Sequence, residues 1–434
     1  MTAIGAAIWT GDKIAGWSGF LRRPLEAARL IERACNRAGS KDFGEIPIAE
    51  PLERLLRACQ AEASLGLIGR FALEWDVLRF LSNLLDLAAA ERHTPEIAQV
   101  PIARPIFITG LPRSGTTFLH ELMLCDPTNR APSVWETIYP YAIAHEPSGR
   151  NERIARVARQ LRMFERLAPQ FRGLHRISPT SPQECSEITA HAFRSLRFDT
   201  TYRIPSYRDW LETEGEGHLP AYRLHKRFLQ HLQHQDGAAG RDRRWVLKCP
   251  DHLFALDALR TVYPDAHLVF VHRDPLRVLL SVAKLTEVLR RPFTRRLDRV
   301  EIGRGESTRW LEGAQRMIAA SEDPFWRGTI CHVHYLDLVA DPAGAVEGVY
   351  RHFGIPRPEG LGAAVAKFAA AEPNGGYWVH RYLFEDHGLD ATAEREKFAP
   401  YLRHFGVVPE PAGAPRPAGP RSAALRSQAS ALPT

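Results

Sequence analysis

One run of this 434-residue chain gathers groups that could hold an anion: Phe107-Ile-Thr-Gly110-Leu-Pro-Arg113-Ser114-Gly115-Thr116-Thr117-Phe-Leu-His120. An apolar segment enters a turn with two glycines and then a helix-forming stretch. Glycines let the backbone wrap closely round an anion. The N-terminus of the following helix would offer free N–H groups and a partial positive charge. The spacing from Gly110 to Gly115 is that of the P-loop pattern, GxxxxGK followed by Ser or Thr. Here Thr116 stands where the lysine belongs, and the cation has moved into the loop as Arg113. A triphosphate with Mg²⁺ needs that lysine on its terminal phosphates and a hydroxyl on the metal. A sulfuryl group carries less charge than a phosphoryl group and has no such need for a metal.

A second block repeats the change from apolar run to helix: Trp245-Val-Leu-Lys248, with His252 four residues on, then His267 to Val271, Arg273-Asp274-Pro275 and Ser281. In an open α/β sheet, ligands bind beyond the carboxyl ends of the strands, where such loops gather. Arg273 leaves its strand there. Ser281 follows eight residues later, about two helical turns on, so both could reach one phosphate.

Pro112-Arg-Ser-Gly-Thr-Thr117 resembles, letter for letter, the donor loop of sulfotransferases that use 3′-phosphoadenosine-5′-phosphosulfate (PAPS). The similarity is greatest to the bacterial group related to the tyrosylprotein sulfotransferases, over roughly residues 104–140 and 243–355. The resemblance implies that Arg113, Ser114, Gly115, Thr116 and Thr117 hold the 5′ phosphosulfate end. By the same resemblance Arg273 and Ser281 bind the 3′-phosphate, Lys248 touches the transferring group and Tyr335 lies near the adenine. Arg381, in Gly375-Gly-Tyr-Trp-Val-His-Arg381, falls where the family has a loop closing over the donor. A positioned base must take the acceptor's proton, a contribution of roughly 10²–10⁴-fold. Family branches place a glutamate shortly after the loop helix, which points to Glu136. Other branches use histidine, which leaves His252 and His120 as rivals. The expected reaction moves a sulfuryl group from PAPS, as co-substrate and without a metal, to a hydroxyl or amine, releasing adenosine 3′,5′-bisphosphate. A P-loop kinase would need a lysine at position 116 and an acidic Mg²⁺ ligand. A non-catalytic nucleotide-binding protein would bind without turnover.

The elements needed to position these groups follow from periodicity. Strands are expected at 105–109, 245–248, 266–271 and 329–334, and helices at 116–125, 253–262, 275–289 and 342–353. Strands alternating with helices imply an α/β fold with a parallel, P-loop-type sheet. Leu52, Leu55, Leu56 and Cys59 recur at helical spacing, as do Trp75, Leu78, Leu81, Leu84 and Leu85. Residues 1–100 therefore form a helical N-terminal region ahead of the α/β domain at 101–405. Residues 151–240 form a helical insertion in that domain. The Pro-, Ala-, Gly- and Ser-rich 406–434 reads as a disordered tail. The acceptor, a small molecule or peptide, would meet 1–100 and 151–240. Trp135, Phe193, Tyr202 and Trp210 are candidates for its pocket, with core packing as the competing use.

Composition bounds the rest. Apolar residues make up 44% and charged residues 25%, enough for a sizeable core. The net charge of +7 suits an acidic substrate. No basic run alternates with aromatics, which argues against nucleic acid. The six cysteines are scattered, with no CxxC pair, which argues against a zinc site and against a small disulfide scaffold. Reduced thiols, no signal-peptide pattern and no apolar run of roughly eighteen residues lead to an expected cytoplasmic location.

Overall fold

The computed structural model describes residue 21 and residues 23–141, 149–171, 177–240, 242–371 and 383–410. Among the described residues, five parallel strands form one sheet: β1 (Ile106–Gly110), β2 (Asn129–Arg130), β3 (Arg244–Lys248), β4 (His267–His272) and β5 (Ile330–His334). The order across the sheet is β2-β3-β1-β4-β5. The fold is α/β with a P-loop-type sheet, as expected. The four expected strands are present within a residue or so of their predicted limits. The two-residue β2 is an addition that no run of apolar residues announces.

β1 is apolar and fully buried along its length because helices cover both faces of the sheet. Its side chains alternate between two cores. Phe107 joins the core shared with the N-terminal helices, while Ile106 and Ile108 face the opposite one. Helices α1 (Ala27–Ala38), α2 (Ala49–Glu62) and α3 (Leu67–His93) precede the sheet. α4 (Thr116–Met123) follows β1, and α5 (Val134–Ile138) follows β2. The insertion expected before β3 comprises α6 (Arg150–Leu167), α7 (Cys185–Thr189), α8 (Arg197–Thr201), α9 (Pro205–Thr213) and α10 (Leu219–Gln235).

After β3 the expected continuous helix is broken. A 3₁₀ turn, Pro250–Phe254, precedes α11 (Leu256–Val262), because Ala255 leaves helical geometry at φ −131° and ψ 24°. α12 (Pro275–Arg290), α13 (Arg299–Glu322), α14 (Tyr335–Ala340), α15 (Pro342–His352), α16 (Leu361–Ala371), α17 (Ala391–Lys397) and α18 (Ala399–Phe405) complete the described helices.

A closed set of buried charges joins the N-terminal helices to the insertion. Arg79 binds Asp76 at 2.8 Å and Glu187 at 2.7 Å, and Arg197 binds the same two carboxylates at 3.0 Å each. Buried charges persist only when paired in this way. For the site, the decisive feature is strand order. β1 lies between β3 and β4, with Ile108 level with Lys248 and Gly110 level with Val271. The loop after β1 is thereby flanked by Lys248 on one side and Arg273 on the other.

Candidate active site

The loop from Gly110 to Gly115 has the tight geometry its glycines suggested. A side chain at Gly110, where φ is +146°, would put Cβ 2.4 Å from the Val271 carbonyl oxygen. At Gly115, where φ is +99°, it would come 2.9 Å from the Tyr335 ring. Arg113 itself has φ +62°, a conformation costly for a residue with a side chain. α4 starts directly at Thr116. The hydroxyl of Ser114 is fully buried without a protein hydrogen-bond partner. Buried polar atoms are rarely left so, and an oxyanion in the loop would satisfy it.

Residues from four segments converge on this loop. Arg273 Nη1 donates to the Arg113 carbonyl at 2.8 Å, and its guanidinium lies 3.8 Å over the Tyr335 ring. Arg113 Nε donates to Ser281 Oγ at 3.0 Å. Lys248 Nζ donates to Thr117 Oγ1 at 3.1 Å and to Glu184 Oε1 at 2.5 Å. Asp274 is buried beneath them. It caps α12 by accepting from the Leu276 amide and pairs through both oxygens with Arg395 at 2.9 and 3.2 Å. Arg381 lies outside the described residues.

The stretch expected as a tail begins within this assembly. Glu410 accepts from Arg273 through both oxygens, at 2.7 and 3.0 Å, and its amide donates to Asp274 at 2.8 Å. Residues 411–434 lie outside the described residues.

The three residues expected as general base are not at this point. Glu136 is spent on structure. Its Oε2 accepts from the Ser133 amide at 2.7 Å in a capping box, and its Oε1 accepts from Arg130 at 3.2 Å. Ser133-Val-Trp-Glu136 is the sequence signature of that box. His252 is buried against Phe107 and bonded at 2.5 Å to the Tyr222 hydroxyl, with burial holding its pKa well below the usual histidine range. His120 bonds the Val246 carbonyl at 2.9 Å, and burial lowers its pKa to about 3. None of the three lines the cavity beside the loop.

Among the carboxylates that do line it are Glu184 and Asp251. Glu184 holds Lys248, as described. Asp251 pairs with Arg309 at 2.7 Å, and burial raises its pKa to about 6. Neither belongs to a motif. The backbone fixes Glu184 instead. Val134 and Trp135 amides donate to Ser181 and Pro179 carbonyls at 3.0 and 2.9 Å, and the Gln183 amide donates to the Pro132 carbonyl at 2.7 Å. The capped start of α5 therefore braces the segment that carries Glu184.

The cavity itself measures about 1950 Å³. One end is formed by Arg113, Thr116, Thr117, Arg273, Ser281 and Tyr335. Away from that end, apolar residues of α3, α6 and α12 line the cavity, beside the paired charges of Asp76, Glu187 and Arg197. Of the four aromatics singled out in the sequence, Tyr202 lines it. Trp135, Phe193 and Trp210 are buried elsewhere. No helix among the described residues is long and apolar enough to cross a membrane.

Known proteins agree with this architecture. Sulfotransferase STF1 from Mycobacterium tuberculosis H37Rv is 30% identical, with a TM-score of 0.73 over 86% of this chain and 98% of its own. Sulfotransferase STF9 from Mycobacterium avium has the same fold, with a TM-score of 0.74 over 88% and 97% at 24% identity. An omega-hydroxy-beta-dihydromenaquinone-9 sulfotransferase, Stf3, of Mycobacterium bovis is 26% identical over 310 residues, 66% of this chain and 72% of that protein. The sulfotransferase family matches residues 105–359, a span that runs from the first strand past Tyr335. With a lysine-free phosphate loop between Lys248 and Arg273 on this sheet, the chain belongs to the sulfotransferase family.

Proposed function

We propose that this sulfotransferase takes its sulfuryl group from PAPS, passes it to an acceptor hydroxyl and uses Glu184, rather than Glu136, as the general base. The observation that carries the reading is the bridge made by Lys248, which joins the loop hydroxyl of Thr117 to the carboxylate of Glu184. A base must lie within hydrogen-bond reach of the proton it removes. Glu184 lines the cavity where an acceptor approaching Thr117 would sit, whereas both oxygens of Glu136 are already committed.

The orphaned Ser114 hydroxyl and the glycine-built loop fit the 5′ phosphosulfate end. Arg273 and Ser281 fit the 3′-phosphate, and Tyr335 would lie against the adenine. In the reaction the acceptor oxygen gives its proton to Glu184 and bonds to sulfur, while the bond from sulfur to the phosphate oxygen breaks. Lys248 and Arg113 stabilise the negative charge left on that phosphate oxygen. Adenosine 3′,5′-bisphosphate leaves. The Mycobacterium bovis relative is named for a hydroxylated acceptor, which favours a hydroxyl over an amine here.

Glu410 holds Arg273 with a carboxylate in the geometry a phosphate would use. On this reading the donor's 3′-phosphate displaces it. Calorimetry with adenosine 3′,5′-bisphosphate, ADP and ATP tests the donor. Much tighter binding of the bisphosphate, independent of Mg²⁺, is expected. Tight, Mg²⁺-dependent ATP binding with no preference for the 3′-phosphate overturns it.

A further inference from the structure

We infer that the acceptor is a hydroxyl carried on an extended apolar body, a long-chain alcohol, that lies along the cavity wall made by α3, α6 and α12. The inference rests on the sulfuryl-transfer reading above and adds the chemical class of the second substrate.

Size is the first argument. Pockets for drug-sized ligands span roughly 300–1,000 Å³, and this cavity holds about 1950 Å³. A nucleotide at the loop end leaves a large remainder.

The chemistry of that remainder is the second. On α3, Ile68, Phe71, Ala72 and Trp75 line the cavity. They recur at i, i+3, i+4 and i+7 and so share one helical face. The same helix sends Leu73, Val77, Phe80 and Leu81 into the core. This stretch is therefore apolar on two faces, and one of them looks onto the cavity. Leu161 and Phe164 of α6 and Leu285 and Leu289 of α12 also line it. Three of the charged side chains that line the cavity away from the loop are committed to one another. Asp76, Glu187 and Arg197 are closed on one another and on Arg79.

The distribution of exposed apolar surface is the third. Eight large hydrophobic side chains are exposed among the described residues, and five of them border this cavity: Phe71, Trp75, Met163, Leu336 and Leu383. Phe71 is 54% exposed and Met163 62%. Exposed apolar groups scattered singly need no explanation, but a concentration at one cleft marks a binding surface. A small polar acceptor would leave them in water. A long apolar one would cover them while its hydroxyl reached Glu184.

The test measures transfer from labelled PAPS to primary alcohols from butanol to hexadecanol at one fixed detergent concentration, with glucose and a tyrosine peptide alongside. Because each buried methylene favours binding, kcat/KM should rise by about tenfold for every two methylenes until the wall is covered. Phe71→Asp and Trp75→Asp, both at exposed positions, should cut hexadecanol transfer by at least about tenfold. Bisphosphate affinity should change by less than about twofold, which shows that the variants still fold. A flat series, preference for glucose or the peptide, or no transfer to any alcohol by protein that still binds the bisphosphate overturns the acceptor class and leaves the donor reading standing. Loss of the bisphosphate preference in the unmodified protein overturns the donor reading instead.

Discussion

The two ends of the cavity are built on different terms. At the loop end Arg273, Ser281 and Lys248 are each fixed by a neighbour from another segment. Arg273 is held by the Arg113 carbonyl, Ser281 by Arg113, and Lys248 by Thr117 and Glu184. At the apolar end the wall consists of helix faces, and its specificity would come from shape and length rather than from any single bond. Charge chemistry needs atoms placed to within tenths of an ångström, so its residues and spacings recur. An apolar wall needs only volume and an absence of charge, which many sequences supply. Substitutions at the first end should therefore have large effects on one step. Those at the second should have graded effects on acceptor length.

The sharpest way to break this contrast is at the Lys248 bridge. Glu184→Gln keeps the shape but removes the base, so turnover should fall by at least about 10²-fold with bisphosphate affinity retained. Asp251 supplies the control. As a base it would have to lose its proton, so the rate would rise with pH through about 6. With Glu184 as the base, the pH profile through that range should be the same in Asp251→Asn as in the unmodified protein, while Glu184→Gln alone loses turnover. If instead Asp251→Asn abolishes the rise, the base is Asp251.

Arg273→Ala comes next in size. Loss of a charge-assisted pair should weaken bisphosphate binding by about 10–100-fold and leave ADP binding nearly unchanged, which narrows the preference between them. Equal losses for both nucleotides would mean that Arg273 acts only by bracing the Arg113 carbonyl.

How far the sequence carried differs in the same way. The loop, its two flanking strands and the approach of Arg113, Arg273 and Ser281 follow from local patterns, because a strand, a glycine turn and a helix start are set by near neighbours, whereas Tyr335 came only from the resemblance to the family. Glu184 was not legible. It approaches Lys248 across 64 positions of chain, held by backbone hydrogen bonds to α5 that no side-chain pattern encodes. Glu136 caps its helix, and a capping carboxylate and a catalytic one look alike in sequence. The Ser133-x-x-Glu136 spacing was the available sign. The apolar wall was hidden because Ile68, Phe71, Ala72 and Trp75 have the same periodicity as a core face.

A smaller effect is expected at the boundary of the loop end. Glu410→Gln removes the carboxylate charge from Arg273 but keeps its bulk. Partly exposed ion pairs contribute up to about 1 kcal/mol, so bisphosphate affinity should rise by about threefold to fivefold. Unchanged affinity would show that the donor does not compete with Glu410.

The smallest effect on chemistry is expected at Glu136, and it decides whether the charge-built end extends to α5. Glutamine at the third helical position still serves a capping box, so Glu136→Gln should keep turnover within about threefold. A loss approaching the 10²-fold of a removed base would return the role of base to Glu136. Glu136→Ala removes the cap, which costs about 1 kcal/mol of stability. It also takes one partner from Arg130, whose other carboxylate is Asp236. Because the start of α5 braces residues 179–183 through backbone bonds, the alanine variant should lose some turnover along with stability, and glutamine should restore both. Rescue by glutamine is the result that separates a brace from a base, since a base cannot be replaced by an amide.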